Sequence, residues 1–335
     1  MATGAVRSDI ALLAALRTWS GDPDLVLERP SAGFSSETVV VTGGDGTRSV
    51  VRLPLLVESY PEYDLAVQRA VLDALGGAGL PAPRALALVT DDERVGAPFL
   101  VMSFVDGRPI ADVPAFDPWI AEGGAERGRR VEEQFLDALG ALHRVDWQVA
   151  GLDSVLRVGT AADLDYWTRY IDWAAEGAPA RVLADAMKWC RAAAPAGDPA
   201  AHALCWGDAR LGNACFDPGT ASLTALLDWE LATIGPPESD LAWYLALSDL
   251  TAAFVGSRAP GALDRSAAIA RYEAARGRAV TDLAWHEVFA LVRSVAINDR
   301  QARLAAAVGA DYPGVPGDGN PVLPVLAAAI DRFPA

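Results

Sequence analysis

Between Cys205 and Asn213 the chain reads Cys-Trp-Gly-Asp-Ala-Arg-Leu-Gly-Asn, which sets Asp208 and Asn213 five positions apart. A second aspartate, Asp228, follows fifteen residues after Asn213, at the end of the apolar run Leu223–Leu227. Phosphoryl transfer asks little more of a protein than this. One carboxylate orients an acceptor hydroxyl and takes its proton, and oxygen ligands hold Mg2+ against nucleotide phosphates. On that reading Asp208 is the base, and Asn213 and Asp228 are the metal ligands. Each is an ordinary turn residue when taken singly. The joint spacing carries the inference, with a glycine inside it and a buried-type strand before Asp228.

Such a loop needs elements to hold it. Glu37–Thr42 alternates as a strand, Gly43–Gly46 supplies a hairpin turn, and Ser49–Leu53 returns as a second strand stopped by Pro54. Residues 63–76 carry apolar positions at helical spacing and end on two glycines. Strands are expected again at Pro81–Thr90 and Pro98–Val105, and strand signals largely cease after Asp106-Gly107. From Arg129 the pattern is mostly helical, interrupted between Ala203 and Asp228 by a loop and the strand 223–227. The expected fold class is α+β, a β-rich N-terminal lobe over residues 1–104 and a mainly helical C-terminal lobe over 105–335.

Composition narrows the function classes. With 335 residues, 52% of them hydrophobic, there is material for a sizeable core and no case for disorder. A net charge of −16 argues against nucleic acid as a partner, because a phosphate backbone is bound by concentrated Lys and Arg. Cys190, Cys205 and Cys215 form no CxxC pair, so reduced core thiols in a cytoplasmic protein are expected rather than a zinc site or disulfides. The first residues read as an amphipathic helix rather than a signal peptide, and no run of about 18 uncharged apolar residues suggests a membrane span.

The segment Trp206–Asn213, followed by Leu226–Leu245 with its Asp-Trp-Glu-x-Ala-x-x-Gly-x-Pro-x-x-Asp-Leu-Ala-Trp pattern, resembles the aminoglycoside phosphotransferase-like (choline/aminoglycoside kinase-like) superfamily. It is similar in particular to the branch found in actinobacteria and fused to some acyl-CoA dehydrogenases. Leu142–Trp147 (LHRVDW) and Gly33–Thr38 (GFSSET) extend the likeness over most of the chain. The resemblance implies a protein-kinase-like two-lobed fold, with ATP or GTP as co-substrate between the lobes and Mg2+ as cofactor. It implies Asp208 as catalytic base, Asn213 and Asp228 as metal ligands, and Asp240 as a carboxylate bracing the catalytic loop. Arg210 stands where protein kinases carry a lysine near the γ-phosphate, and would neutralise transferring charge or else be a surface or substrate-side arginine.

Three positions depart from that pattern. The only lysine, Lys188, lies in the helical part, so the resemblance leaves Arg52 as the candidate for the phosphate-binding cation of the third strand, the alternative being an exposed strand arginine. The glutamate that would pair with it from the next helix is Gln68, leaving Gln68, Glu62 or Asp64 to take its place, or none. The usual histidine before Gly-Asp is Trp206, which implies the loss of a hydrogen-bonding ring nitrogen. Backbone and hydroxyls of the loop 32–36, including Ser35 and Ser36, would cover the phosphates. Ser103 to Val105 would be the hinge that reads the base.

His143 reads as a capping or packing residue, and Trp167, Trp173, Trp189 and Trp243 as core. The helices from 240 to 305 are the expected acceptor surface, with Trp243, Tyr244, Glu287, Asn298 and Asp299 as candidates. The acceptor would be a small-molecule hydroxyl on an aminoglycoside, a macrolide, a sugar-like metabolite or a hydroxyacyl-CoA, with the acidic charge slightly favouring a cation. The alternative is a catalytically weak kinase-fold protein that binds nucleotide or metabolite, which Gln68 and Trp206 would favour.

Overall fold

The computed structural model describes residues 7–30, 36–90, 92–307, 309, 312 and 314–332. Helix α1 (Asp9–Ser20) packs Leu12, Ala15 and Leu16 against one face of an antiparallel sheet. The strands are β1 (Val26–Glu28), β2 (Ser36–Thr42), β3 (Arg48–Pro54), β4 (Ala85–Val89) and β5 (Phe99–Ser103), in the order β1-β2-β3-β5-β4. The β2–β3 hairpin turns where the sequence places it, with Gly46 N–H donating to the Gly43 carbonyl at 2.9 Å. Helix α2 (Leu65–Gly77), capped by the Asp64 carboxylate on Ala66 N–H, covers part of the other face. Strand period decides what each face carries. Val51 and Leu53 of β3 pack toward α1, while Arg52 between them points to the opposite side, where the cleft lies.

Beyond Ser103 the chain is mainly helical. It runs through β6 (Arg108–Pro109), α3 (Pro118–Leu142), α4 (Gly159–Ala175), α5 (Arg181–Ala192), β7 (Ala203–Cys205), β8 (Ala214–Phe216), β9 (Leu223–Leu226), β10 (Thr233–Gly235), α6 (Glu238–Val255), α7 (Arg265–Arg276), α8 (Leu283–Ala307) and α9 (Leu323–Asp331). Two small sheets, β6-β8-β9 and β10-β7, carry the loops on which the candidate residues sit. Of these short strands only β9 was legible, since pieces of two or three residues leave no period to read. The expected long helix after Arg129 begins earlier, at Pro118, capped by Asp117 and broken by the positive φ of 62° at Gly124.

The main core joins α3, α4, α6 and α8, with Trp167, Tyr170, Phe135, Trp206 and Trp243 buried in it. Trp173 and Trp189 are half-buried at its edge. Helix α3 accepts its neighbours at glycines. A Cβ on Gly128 would lie 1.8 Å from the Pro260 carbonyl oxygen, whereas one on Gly76 would meet nothing within 4 Å. Gly128→Ala should therefore cost about 1–3 kcal/mol by overpacking. Gly76→Ala should be neutral or stabilise by about 0.4–1 kcal/mol. The midpoints of urea denaturation of the two variants check this contrast.

Candidate active site

The site is built on a turn that only glycine permits. Gly207 follows β7 with φ of 84°, and a Cβ there would lie 2.1 Å from the Leu231 carbonyl oxygen. The turn is held from α6 by Asp240, whose carboxylate is fully buried. Its Oδ2 accepts the Trp206 N–H at 2.6 Å and its Oδ1 the Gly207 N–H at 2.8 Å. His143, at the end of α3, sets Nε2 3.0 Å from Asp240 Oδ2 and Nδ1 2.6 Å from the Tyr272 hydroxyl. Asp240 thus holds the two residues that precede Asp208, and His143 contacts it from behind.

Asp208, the next residue, turns its side chain into the cleft. Trp243 Nε1 donates to its Oδ1 at 2.8 Å, while Asn213 Nδ2 at 2.7 Å and Arg210 Nε at 3.2 Å donate to Oδ2. Burial pushes the Asp208 carboxyl up. The Arg210 charge and these three hydrogen bonds outweigh that and hold it below its ordinary value. Arg210 also pairs with Asp112, from the loop before α3. The guanidinium therefore faces the cleft beside Asp208, not the outer surface.

Asp228 follows β9 in the left-handed region, φ 60°, a conformation that short polar side chains tolerate and that strained sites often hold. Trp206 secures it. The indole Nε1 donates to the Leu227 carbonyl at 2.7 Å and to the Asp228 carbonyl at 3.1 Å, and its ring stacks on Trp229 at 5.2 Å. The loss of a ring donor implied by tryptophan at this position does not occur, because the larger indole reaches these carbonyls itself.

Arg52 reaches the same segment from β3. Its Nη2 lies 2.6 Å from Asp228 Oδ1 and 2.8 Å from Glu230 Oε2, and its Nε donates to Ser36 Oγ at 2.9 Å. Burial works against the guanidinium charge, yet Asp228 and Glu230 hold its pKa well above the ordinary value. None of the three α2-side candidates partners it. Gln68 is buried with Nε2 unpaired, Glu62 sits on the surface 3.5 Å from Arg169, and Asp64 caps α2. Glu230 supplies the carboxylate expected from the helix.

These groups line one cleft of about 1340 Å³ between the five-stranded sheet and the helices, together with Ser36, Gln68, Ser103 and Val105. Ser35 and the rest of the loop 32–35 lie outside the described residues. Ser103 N–H is spent on the Arg84 carbonyl, whereas Val105 makes no backbone hydrogen bond among the described residues. Lys188 is exposed and paired with Asp185. Trp243, Tyr244 and Asn298 face the cleft, but Glu287 pairs with Arg265 and Asp299 accepts from Gly317 and Asn320, both away from it. The helical side of the cleft carries the apolar Leu247, Ile297 and Leu304 beside the polar Ser248, Thr251 and Gln301. Its carboxylate Glu132 is taken by the Tyr244 hydroxyl and the Leu263 N–H.

Sequence reasoning passed over Glu230, Asp112 and Arg293. Glu230 was signalled by its place in Asp-Trp-Glu, whereas Asp112 and Arg293 are brought in only by folding. The three cysteines are buried free thiols, with Cys190 and Cys215 pushed by burial up to about 12 and about 11. Cys205 approaches His143 and Asp240 within 4.8 Å. That trio does not suit a metal, because N–H donors already occupy both Asp240 oxygens and burial keeps the Cys205 thiol protonated. No helix among the described residues is long and apolar enough to cross a membrane.

A model of the phosphotransferase enzyme family matches residues 26–281. The chain is 31% identical over 225 residues to the "Probable acyl-CoA dehydrogenase IBR3" of Arabidopsis thaliana, a match that spans 63% of this chain and 26% of that protein. A solved structure from Ralstonia eutropha JMP134, assigned as an aminoglycoside phosphotransferase, superposes with a TM-score of 0.68 at 23% identity, covering 96% of this chain and 94% of that one. Aminoglycoside phosphotransferase APH(3'')-Id from Streptomyces rimosus, solved with ADP and streptomycin, gives 0.54 at 20% identity over 87% and 98% of the two chains. At these identities the structural likeness is one of fold.

Asp240→Ala should orphan two buried N–H groups at the Gly207 turn and cost about 2–5 kcal/mol of stability. Urea denaturation of the variant beside the wild type measures it.

Proposed function

The chain belongs to the phosphotransferase enzyme family, and from that premise we propose that it moves the γ-phosphate of ATP or GTP to a hydroxyl of a small molecule, with Asp208 as the base. The observation that carries this reading is the convergence of Asp208, Asn213, Asp228 and Arg52 on one cleft. Four residues from three separate stretches of chain meet there, which supports a role in phosphoryl transfer. Trp243, Asn213 and Arg210 together orient the Asp208 carboxylate that takes the acceptor's proton. Arg52 binds the inner phosphates from the sheet side, and Arg210 offsets charge on the transferring group from the helical side.

The donor set suits Mg2+. The Asp228 carboxylate and the Asn213 amide oxygen are hard oxygen ligands, and the Asn213 atom turned toward Asp208 is its nitrogen, which leaves the oxygen clear of that contact. Bound there, Mg2+ would neutralise nucleotide phosphate charge. Ser36 and the hinge at Ser103–Val105 would bound the nucleotide, with residues 1–104 as its lobe and 105–335 as the lobe of the acceptor.

The apolar Leu247, Ile297 and Leu304, and a Glu132 carboxylate already occupied by Tyr244 and Leu263, favour a hydroxyl on an apolar or uncharged body over a polycationic aminoglycoside, reversing the lean given by global charge. The alternative of a weak kinase-fold binder rested on Gln68 and Trp206. Glu230 now pairs with Arg52 and the Trp206 indole retains its hydrogen bonds, so neither departure favours it.

Two measurements test the proposal. Mg2+-dependent hydrolysis of ATP or GTP should fall at least about 100-fold in Asp208→Asn, and equal slow rates in variant and wild type would remove the enzyme reading. Asp208 acts only when deprotonated, and its lowered pKa keeps it so into acid. Arg210→Met removes the neighbouring charge, so the acid limb of the kcat–pH profile should move to higher pH. An unmoved limb would exclude Arg210 as the group that tunes Asp208.

A further inference from the structure

Helix α8 buries two arginines, and one of them, Arg293, lies behind the site. Arg293 is 3% exposed and makes no ion pair among the described residues, and its Nε has no hydrogen-bond partner. Burying an uncompensated guanidinium is costly, so its contacts must repay the placement. There are three. Its Nη2 donates to the Gly207 carbonyl, and its Cζ lies 4.9 Å from the Trp167 ring centroid and 4.5 Å from that of Trp243. The last two are cation–π contacts of the kind that orient a ring.

Two of these contacts bear directly on Asp208. The Gly207 carbonyl belongs to the peptide that joins Gly207 to Asp208. Its neighbour on the N-terminal side is fixed by Asp240, so Arg293 from α8 and Asp240 from α6 clamp the two sides of Gly207. Trp243 is the residue whose indole N–H fixes Asp208 Oδ1 at 2.8 Å. The same guanidinium therefore holds the backbone that presents the carboxylate and the ring that aims it.

We infer that Arg293 is a positioning residue for phosphoryl transfer, acting on Asp208 through the Gly207 carbonyl and the Trp243 ring. It touches neither nucleotide nor acceptor, and no motif marks it in the sequence. The inference rests on the reading of Asp208 as the base. It adds that the carboxylate's orientation is set from α8 as well as from its own loop.

The test uses the full chain with Mg2+ and ATP, with mant-ADP as the binding probe. Arg293→Met keeps the volume but removes the donor and the charge. It should lower kcat for ATP hydrolysis by about 10–100-fold, the penalty of a slightly misplaced catalytic group, while KM and the mant-ADP Kd change less than about threefold. Arg293→Lys, which keeps the charge but not the planar plate, should lie between that variant and the wild type, and it serves if the methionine variant does not fold. Trp243→Phe should lower kcat similarly. The double variant Arg293→Lys with Trp243→Phe should lose less than the product of the two single losses, because both act through one contact. A purely structural arginine would lower the melting temperature and leave kcat per folded molecule within twofold, with independent losses in the double variant, and that result overturns the inference. If Asp208→Asn itself hydrolyses ATP like the wild type, the reading beneath it fails instead, so the two failures are distinguishable.

Discussion

The buried carboxylate of Asp240 is the constraint on which the site depends. It takes the N–H groups of Trp206 and Gly207 with its two oxygens and receives His143 from behind. A carboxylate removed from water is tolerable only when its lone pairs are filled, and here backbone and imidazole fill them. The Gly207 turn is the geometry that satisfies both oxygens, and its positive φ and its closeness to Leu231 follow from that demand. Asp208 then leaves the turn in a fixed direction. Trp206 extends the same order to Asp228, because its indole carries the hydrogen bonds that hold the second aspartate's strained backbone.

A second layer joins the sheet to this scaffold. Arg52 crosses from β3 to Asp228 and Glu230, so the sheet-side cation and the candidate metal ligand are in direct contact across the cleft. Each partner limits the other. The arginine keeps the Asp228 carboxylate turned inward, and the two carboxylates keep a buried guanidinium charged. In the proposed mechanism a nucleotide would enter between groups that already balance one another, which spares the reordering of long side chains on binding.

Much of this was legible in the chain. Asp208, Asn213 and Asp228 were visible by type and spacing, and Arg52 through the resemblance, since the only lysine lies in the helical part. The five-stranded sheet was readable where strands ran long enough to alternate. The strands of two or three residues around the site were not, because hydrogen bonds to distant segments define them rather than any local period. The partner of Arg52 escaped for a related reason. It was sought in α2, one element along, whereas folding brings Glu230 from nearly 180 residues away. Trp206 misled in the other direction, since an indole is larger than an imidazole but its N–H reaches carbonyls that sequence cannot place. Arg293 could not be found at all, because an arginine in a helix ordinarily faces water.

In the proposed function Asp228 and Arg52 mark a metal-dependent nucleotide site beside Asp208. Calorimetric titration of the wild-type chain with ATP and GTP, in Mg2+ and then in EDTA, measures this without knowledge of the acceptor. One nucleotide should bind per chain in Mg2+, and binding should weaken at least about tenfold when the metal is removed. Absence of binding, or equal binding with and without the metal, would contradict it.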